Sequence, residues 1–231
     1  MTALELASVS KVRGRGPLAV SALRDVSLRI DAGELVLLEG PSGSGKTTLL
    51  SVAGGLLHPD AGEVRVGGEV LPPGAAEARR TVRARRIGFV FQRSNLLPGL
   101  DALENVIVQA ALAGIDAGVA RRRAGELLDA MGVGHLAGRR VGGLSAGEEQ
   151  RFAVARALVH SPQVVLADEP TASLDSAAGR AVVEAMVTLG RDRGAAILVA
   201  THDPRLAPFA SRRLRIVDGR VGPAPGAQGE P

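Results

Sequence analysis

The chain has 231 residues, 45% hydrophobic and 23% charged, a balance that excludes an intrinsically disordered chain and supplies a core of ordinary size. It contains no Cys, which excludes thiolate zinc sites, redox pairs and cysteine nucleophiles. An isoelectric point near 10.7 beside a formal charge of +4 reflects missing buffers, since Lys11 and Lys46 are the only lysines and Tyr is absent; it is weak ground for a nucleic-acid partner.

In chain order, alternating apolar and polar residues predict half-buried strands over 4–9 and 26–30. The run LVLLE at 35–39 is nearly continuous in apolar residues, the pattern of a strand covered on both faces. A glycine-rich segment follows, and 46–54 predicts a helix. Short strands are expected at 63–66 and 87–91, and the pattern from 100 to 161 is helical and studded with arginine. Strand 164–167, helix 177–191 and strand 195–200 then alternate as βαβ units do, giving an α/β core with a helical insertion. The tail from Gly222 is Gly, Pro, Ala and Gln and is expected to be disordered. The start, MTALELASVSKV, lacks the apolar run of a signal peptide, and no apolar stretch approaches the roughly 20 residues of a spanning helix. The expected location is the cytosol or the cytosolic face of a membrane.

Gly40, Pro41, Ser42, Gly43, Ser44, Gly45, Lys46 and Thr47, with Thr48 next, make a G-x-x-x-x-G-K-T phosphate loop between a buried strand and a helix. Glycines let the backbone curl so that successive N–H groups point at phosphate oxygens, and the helix N-terminus adds partial positive charge. In such a loop Lys46 reaches the β- and γ-phosphates of a nucleotide, and the Thr47 hydroxyl is placed for Mg²⁺. A compact ammonium fits between phosphates where a planar guanidinium does not, which gives meaning to one of two lysines in an arginine-dominated chain. The second signal is the strand VVLAD ending in Asp168 and Glu169. Carboxylates at the C-terminal end of a buried strand are how open α/β sheets present ligands. Asp168 is the candidate for the Mg²⁺ shell, and Glu169 for taking the proton of an attacking water. The third is LSAGEEQR at 144–151, where Ser145 and Glu148 fit an S-x-x-E capping box that any helix can use.

The ordered set of phosphate loop, Gln92 after an apolar strand, LSAGE, DEP, Ser173-Leu174-Asp175 and Ala200-Thr201-His202-Asp203 resembles the ATPase subunit of ABC (ATP-binding cassette) transporters over essentially the whole chain. The resemblance implies a P-loop NTPase core with an antiparallel β subdomain and a helical insertion. It implies one nucleotide-binding domain over 1–221, a helical subdomain at about 100–161 and a tail at 222–231. It assigns Gln92 to sensing Mg²⁺ and the attacking water, and Ser145, Gly147 and Glu148 to a signature that meets the γ-phosphate. Asp175 falls in the segment after the paired acids, and His202 on the γ-phosphate. Ala146 and Glu148 depart from the usual LSGGQ. The implied ligands are ATP and Mg²⁺. The implied assembly is a head-to-tail dimer of two copies, each ATP held between Lys46 of one and Ser145 of the other.

The segment VFQRSNLLPGLDALENV at 90–106 is similar to that of the lipoprotein-release, macrolide-export and cell-division ATPases. Those pair with a separately encoded integral membrane permease carrying a large extracytoplasmic domain, docked in a cleft between the Gln92 region and the helical insertion. A mechanical role in the cell envelope is the alternative within that group. A soluble cassette acting on nucleic acid or ribosomes is the competing class, with Arg79, Arg80, Arg83, Arg85, Arg86, Arg121 to Arg123, Arg212, Arg213 and Arg215 as its phosphate contacts. This chain neither fuses two cassettes nor carries a long coiled coil, so no nucleic-acid partner is expected. One family position fails. Cassettes generally carry an aromatic in the first loop to stack on adenine, and Ser10-Lys11-Val12-Arg13-Gly14 holds none. Guanidinium stacking by Arg13 and apolar contact by Val12 are the substitutes on offer, with relaxed base selectivity expected.

Overall fold

The computed structural model describes residues 1–72, 74, 76–172 and 174–224. Strands β1 (Thr2–Arg13) and β2 (Val20–Asp31) form an antiparallel hairpin that extends beyond the expected strands, out to Arg13 opposite Val20. Strand β3 (Leu35–Glu39) leads through the glycine-rich loop into helix α1 (Lys46–Ala53). Strands β4 (Ala61–Val66) and β5 (Glu69–Val70) complete an antiparallel sheet of order β2-β1-β4-β5. Helix α2 (Ala76–Arg86) runs into strand β6 (Ile87–Val90), and helices α3 (Ala102–Leu112), α4 (Ala117–Ala130) and α5 (Ala146–Leu158) make up the insertion. Strand β7 (Val164–Asp168), helix α6 (Ser176–Asp192) and strand β8 (Ala196–Ala200) alternate as expected. Strands β9 (Arg212–Val217) and β10 (Arg220–Pro223) end the described chain.

The expected tail begins too early. Gly222 and Pro223 pair with Arg215 and Leu214, and the Ala224 N–H donates to the Arg213 carbonyl. Proline is tolerated there because β10 is an edge strand. Residues 225–231, and Ser173 of the Ser-Leu-Asp segment, lie outside the described residues.

The second sheet has the order β10-β9-β3-β8-β7-β6, parallel throughout except for the β9–β10 hairpin. Because side chains alternate across a strand, its apolar strands feed two cores. Leu35, Leu37, Val165, Ala167, Ile197 and Val199 pack against the helical side. Val36, Leu38, Val164, Leu166, Ala196 and Leu198 pack against α1 and the antiparallel sheet. Each fully buried Leu or Val there contributes roughly 1.5–3 kcal/mol of transfer free energy, which anchors the central strands that carry the loops at their ends. Four helices begin where a short polar side chain satisfies their first N–H groups: Asp101, Asp116, Ser145 and Asp175 cap α3, α4, α5 and α6.

Candidate functional site

Strands β3, β6, β7 and β8 run parallel, so the segments following each emerge at one edge of the sheet. The glycine-rich loop follows β3, Gln92 follows β6, Asp168 and Glu169 end β7, and His202 follows β8. Ligands of open α/β sheets collect at this carboxyl edge. A cavity of about 940 Å³ opens there, lined by Gly40, Ser42 to Thr48, Gln92, Asp168, Glu169 and His202. Pro41 enters through its carbonyl, which with that of Gly40 accepts from Lys46 Nζ at 3.0 and 2.7 Å.

Gly45 caps α1 with φ 113°, a left-handed conformation, and a Cβ there would lie 2.4 Å from the Ala22 carbonyl oxygen. Only glycine meets both conditions. Thr47 Oγ1 donates to Asp168 Oδ2 at 2.8 Å. Burial raises the pKa of Asp168, opposed by the Thr47 hydrogen bond, and the charge of Glu169 adds to the rise.

Asp168 pairs with Ala200 in register across β7 and β8, and the Glu169 N–H donates to the Ala200 carbonyl at 2.8 Å. This register sets Glu169 beside the residues leaving β8. Its Oε2 accepts from Thr201 Oγ1 at 3.2 Å, and its Oε1 lies 2.8 Å from His202 Nδ1. Glu169 has φ 46°, a left-handed conformation that a non-glycine residue keeps only when its surroundings enforce it. The carboxylate is largely withdrawn from solvent at 17% exposure while His202 stands out at 82%.

Gln92 is tied to the helical insertion by bonds to its neighbours. Gln150 Nε2 donates to the Phe91 carbonyl at 2.9 Å, Ser94 Oγ to Glu149 Oε2 at 2.7 Å, and Arg156 to the Ser94 and Asn95 carbonyls at 2.6 and 2.8 Å. All three partners lie on α5. Ser145 and Glu148 form the capping box at the start of that helix, with the Ser145 N–H donating to Glu148 Oε2 at 2.7 Å. That bond and the Ser145 hydroxyl hold the Glu148 carboxyl below its usual range. Ala146 is the first residue of α5 and has no positive φ, so its replacement of glycine is free of strain. Among the described residues lining the cavity, Ser145, Gly147, Glu148 and Asp175 do not appear. The expected site residues thus divide into a set that lines the cavity and a set that does not.

Thr47, Asp168 and Gln92, among the residues lining the cavity, carry side-chain oxygens, a hard set that suits Mg²⁺. No group of three or more His, Cys, Asp or Glu residues able to hold a metal occurs among the described residues. One carboxylate and one hydroxyl leave the remaining ligands to phosphates and water, the usual arrangement for that cation.

A family model described as ABC transporter matches residues 23–172. The chain belongs to the ABC transporter family. It is 46% identical over 222 residues to the lipoprotein-releasing system ATP-binding protein LolD of Maricaulis maris, covering 95% of this chain and 96% of that one. It is 42% identical over 234 residues to the macrolide export ATP-binding/permease protein MacB of Syntrophobacter fumaroxidans, covering 100% of this chain and 32% of that protein. Thus it spans nearly the whole length of the LolD relative and about a third of that of MacB. Among solved structures, a dimeric post-hydrolysis state of the ATP-binding cassette MJ0796 bound to ADP and Pi superposes with a TM-score of 0.88. It is 35% identical, and the match covers 98% of this chain and 100% of that one. This ABC cassette is an ATP-hydrolysing, P-loop α/β domain.

Several lining residues of the cassette went unnoticed in the sequence. Val20, Ser21, Ala22 and Arg24 of β2, and Asp218 and Gly219 of the β9–β10 turn, also line the cavity. The Arg24 N–H donates to the Gly219 carbonyl, and the Gly219 N–H to that of Ser44, which locks hairpin, turn and loop together. These positions carry no local motif, so only the fold reveals them. Among the arginines read as phosphate contacts, Arg86, Arg212 and Arg213 pair instead with Glu69, Glu34 and Glu39. Among the described residues no helix is long and apolar enough to cross a membrane.

Proposed function

We propose that this cassette drives a separately encoded membrane permease by ATP-dependent closure of a head-to-tail dimer on the cytoplasmic face of the membrane. The observation that carries the reading is the separation just described. Lys46, Glu169 and His202 share one cavity, while Ser145 and Gly147 stand at the start of α5 outside it. A second copy related by a two-fold axis brings its Ser145 helix N-terminus to the open side of the first cavity. The dimeric cassette to which the chain is similar supports this arrangement.

In this reading the loop N–H groups and Lys46 hold the β- and γ-phosphates, and Thr47, Asp168 and Gln92 hold Mg²⁺. The cation, when bound, neutralises charge on the phosphates. Glu169, fixed by Thr201 and His202, takes a proton from water as the water oxygen bonds to the γ-phosphorus and the bond to the bridging oxygen of ADP breaks. His202 steadies the γ-phosphate, and Asp175, at the start of α6, belongs to the dimer face. Loss of the γ-phosphate removes contacts to both copies, and the pair opens.

A groove of about 570 Å³ between α2, β6 and α3, floored by Phe89 and Phe91, is the docking place for the permease. The similarity to LolD and MacB supports a partner of the lipoprotein-release and macrolide-export kind, with a large extracytoplasmic domain. The test is Glu169→Gln, which is expected to elute as a stable dimer with ATP and Mg²⁺ and as a monomer with ADP. A monomer in both conditions overturns the dimer mechanism.

A further inference from the structure

Beyond His202 the chain enters a 3₁₀ turn, Pro204–Phe209, none of whose described residues lines the nucleotide cavity. Asp203 caps the turn, its Oδ1 accepting from the Arg205 N–H at 2.9 Å, and Leu206 anchors it in the core on the helical side of the sheet. Arg205 folds back on its own cap. Its Nε lies 2.8 Å from both oxygens of Asp203, and Nη2 lies 2.6 Å from Oδ2. The remaining arm reaches α6, where Nη1 donates to the carbonyls of Asp175 and Ser176 at 3.3 and 3.2 Å. A planar guanidinium holds both partners at once, which a single ammonium on a flexible stem does not.

Helix α6 makes room for this arm. Gly179 is buried in the helix, and a Cβ there would stand 2.3 Å from Arg205 Nη1. Its φ is not positive, so the backbone does not call for glycine. Glycine inside a helix is destabilising relative to alanine; here it leaves the space that the guanidinium fills.

The other end of the clamp runs to Glu169. Thr171 and Thr201 are buried, so each hydroxyl needs a partner. Thr171 Oγ1 donates to Asp203 Oδ2 at 2.5 Å. Thr201 Oγ1 accepts from the Asp203 N–H at 3.0 Å, and its own proton goes to Glu169 Oε2. The hydrogen bond from Arg205 holds the Asp203 carboxyl at about 2, over the opposing effect of burial, so the pair stays charged near neutral pH.

We propose that Arg205 is a positioning residue for ATP hydrolysis: seated against Gly179, it ties the start of α6 to Asp203 and, through Thr201, fixes the Glu169 carboxylate. A carboxylate that takes a proton from water acts only within a narrow range of distance and angle. The left-handed backbone of Glu169 also has to be enforced from outside, and Asp203 stands behind the one hydroxyl that holds its Oε2. Asp175 stands on the other side of the same guanidinium, so the base and the proposed dimer face share one hydrogen-bonded connection. The inference rests on Glu169 being the base of the proposed mechanism.

Steady-state ATP hydrolysis and urea denaturation of the full chain and its variants test it. Arg205→Ala is expected to lower kcat on the order of tenfold and to leave KM for ATP within about twofold, since no bond of the phosphate loop is touched. Arg205→Lys is expected to regain stability through its ion pair with Asp203 while kcat stays low. If kcat recovers together with stability, or is unchanged in folded Arg205→Ala, the residue is structural and the proposal fails. Gly179→Ala separates the two roles without touching the arginine. Alanine is the better helix former, so stability is expected to hold while the displaced guanidinium lets kcat fall by a similar factor. In the Arg205→Ala background the same change is expected to leave kcat as it was. No loss in the native background, or an equal loss in both, overturns the clamp. Glu169→Gln is the control for the underlying reading: turnover at the native rate in that variant removes Glu169 as the base, a result separate from any effect of Arg205.

Discussion

Thr47 and Asp168, 121 positions apart in the chain, meet at 2.8 Å through a hydroxyl-to-carboxylate hydrogen bond at the mouth of the cavity. The bond joins the start of α1 to the end of β7 and gathers two oxygen donors on one point. Both oxygens would serve as ligands to a cation bound with nucleotide, in place of the bond they now share. Asp168→Asn is expected to lower ATP hydrolysis on the order of a hundredfold or more, since one fixed charge facing the reacting phosphates is lost. Nucleotide binding in the presence of a chelator is expected to persist. Turnover with Mg²⁺ and binding with EDTA, measured on the same preparation, check the split.

Arg156 joins α5 to the segment carrying Gln92 by two bonds to backbone carbonyls. Burial lowers its pKa, so the charge is held at some expense and by those carbonyls. Arg156→Ala is expected to destabilise the fold by about 1.5–3 kcal/mol, the range for charged hydrogen bonds. It is also expected to reduce kcat with little change in KM, because Gln92 loses its support while the phosphate loop is untouched. Steady-state kinetics beside urea denaturation decide the matter; an unchanged kcat in folded protein severs the link between α5 and Gln92.

His160 is 5% exposed, with Nε2 3.2 Å from the Ile87 carbonyl oxygen and Nδ1 lacking a hydrogen-bond partner. Burial lowers its pKa to about 4, against 6.5 for a free imidazole. The unfolded chain therefore takes up a proton before the folded one does. Stability from this group is complete above pH 6.5 and falls as the pH drops toward 4. Between pH 7 and pH 5 the loss is about 2 kcal/mol. Denaturation of the native protein and of His160→Gln at both pH values is expected to show that difference shrinking in the variant.

Gly54 caps α1 beside Phe89 of β6, and a Cβ there would stand 2.0 Å from the Phe89 ring. Phe89 in turn stacks on Phe91 with centroids 5.5 Å apart and an interplanar angle of 2°. Gly54→Ala is expected to cost about 1–3 kcal/mol by overpacking. In a domain of this size each kcal/mol lowers Tm by roughly 2–4 °C. Adding Phe89→Leu to the same chain is expected to recover part of the loss, and a thermal melt of the three proteins reads it.

The converged half of the site was legible because its chemistry is local. The phosphate loop, Asp168 and Glu169, and His202 each sit at the end of an apolar strand, and parallel pairing delivers them to one edge. Val20, Arg24 and Asp218 were not legible, since they reach the cavity through hairpin packing that leaves no periodic trace. Helix α2 escaped for a different reason. Its eleven residues bury only Val82, so there is no apolar stripe to find. Strand β9 did alternate, as RRLRIV, but its arginines drew attention as charges, while the structure pairs Arg212 and Arg213 with Glu34 and Glu39. Ser145 and Glu148 show a further limit: a cap and a signature look alike in one chain, because the second role belongs to another copy.

Lys46, at the end of the phosphate loop, donates back to the carbonyls of Gly40 and Pro41, the adjacent residues at its start. The loop is thus braced by its own cation. Binding becomes a trade of carbonyl oxygens for phosphate oxygens, with little backbone left to freeze.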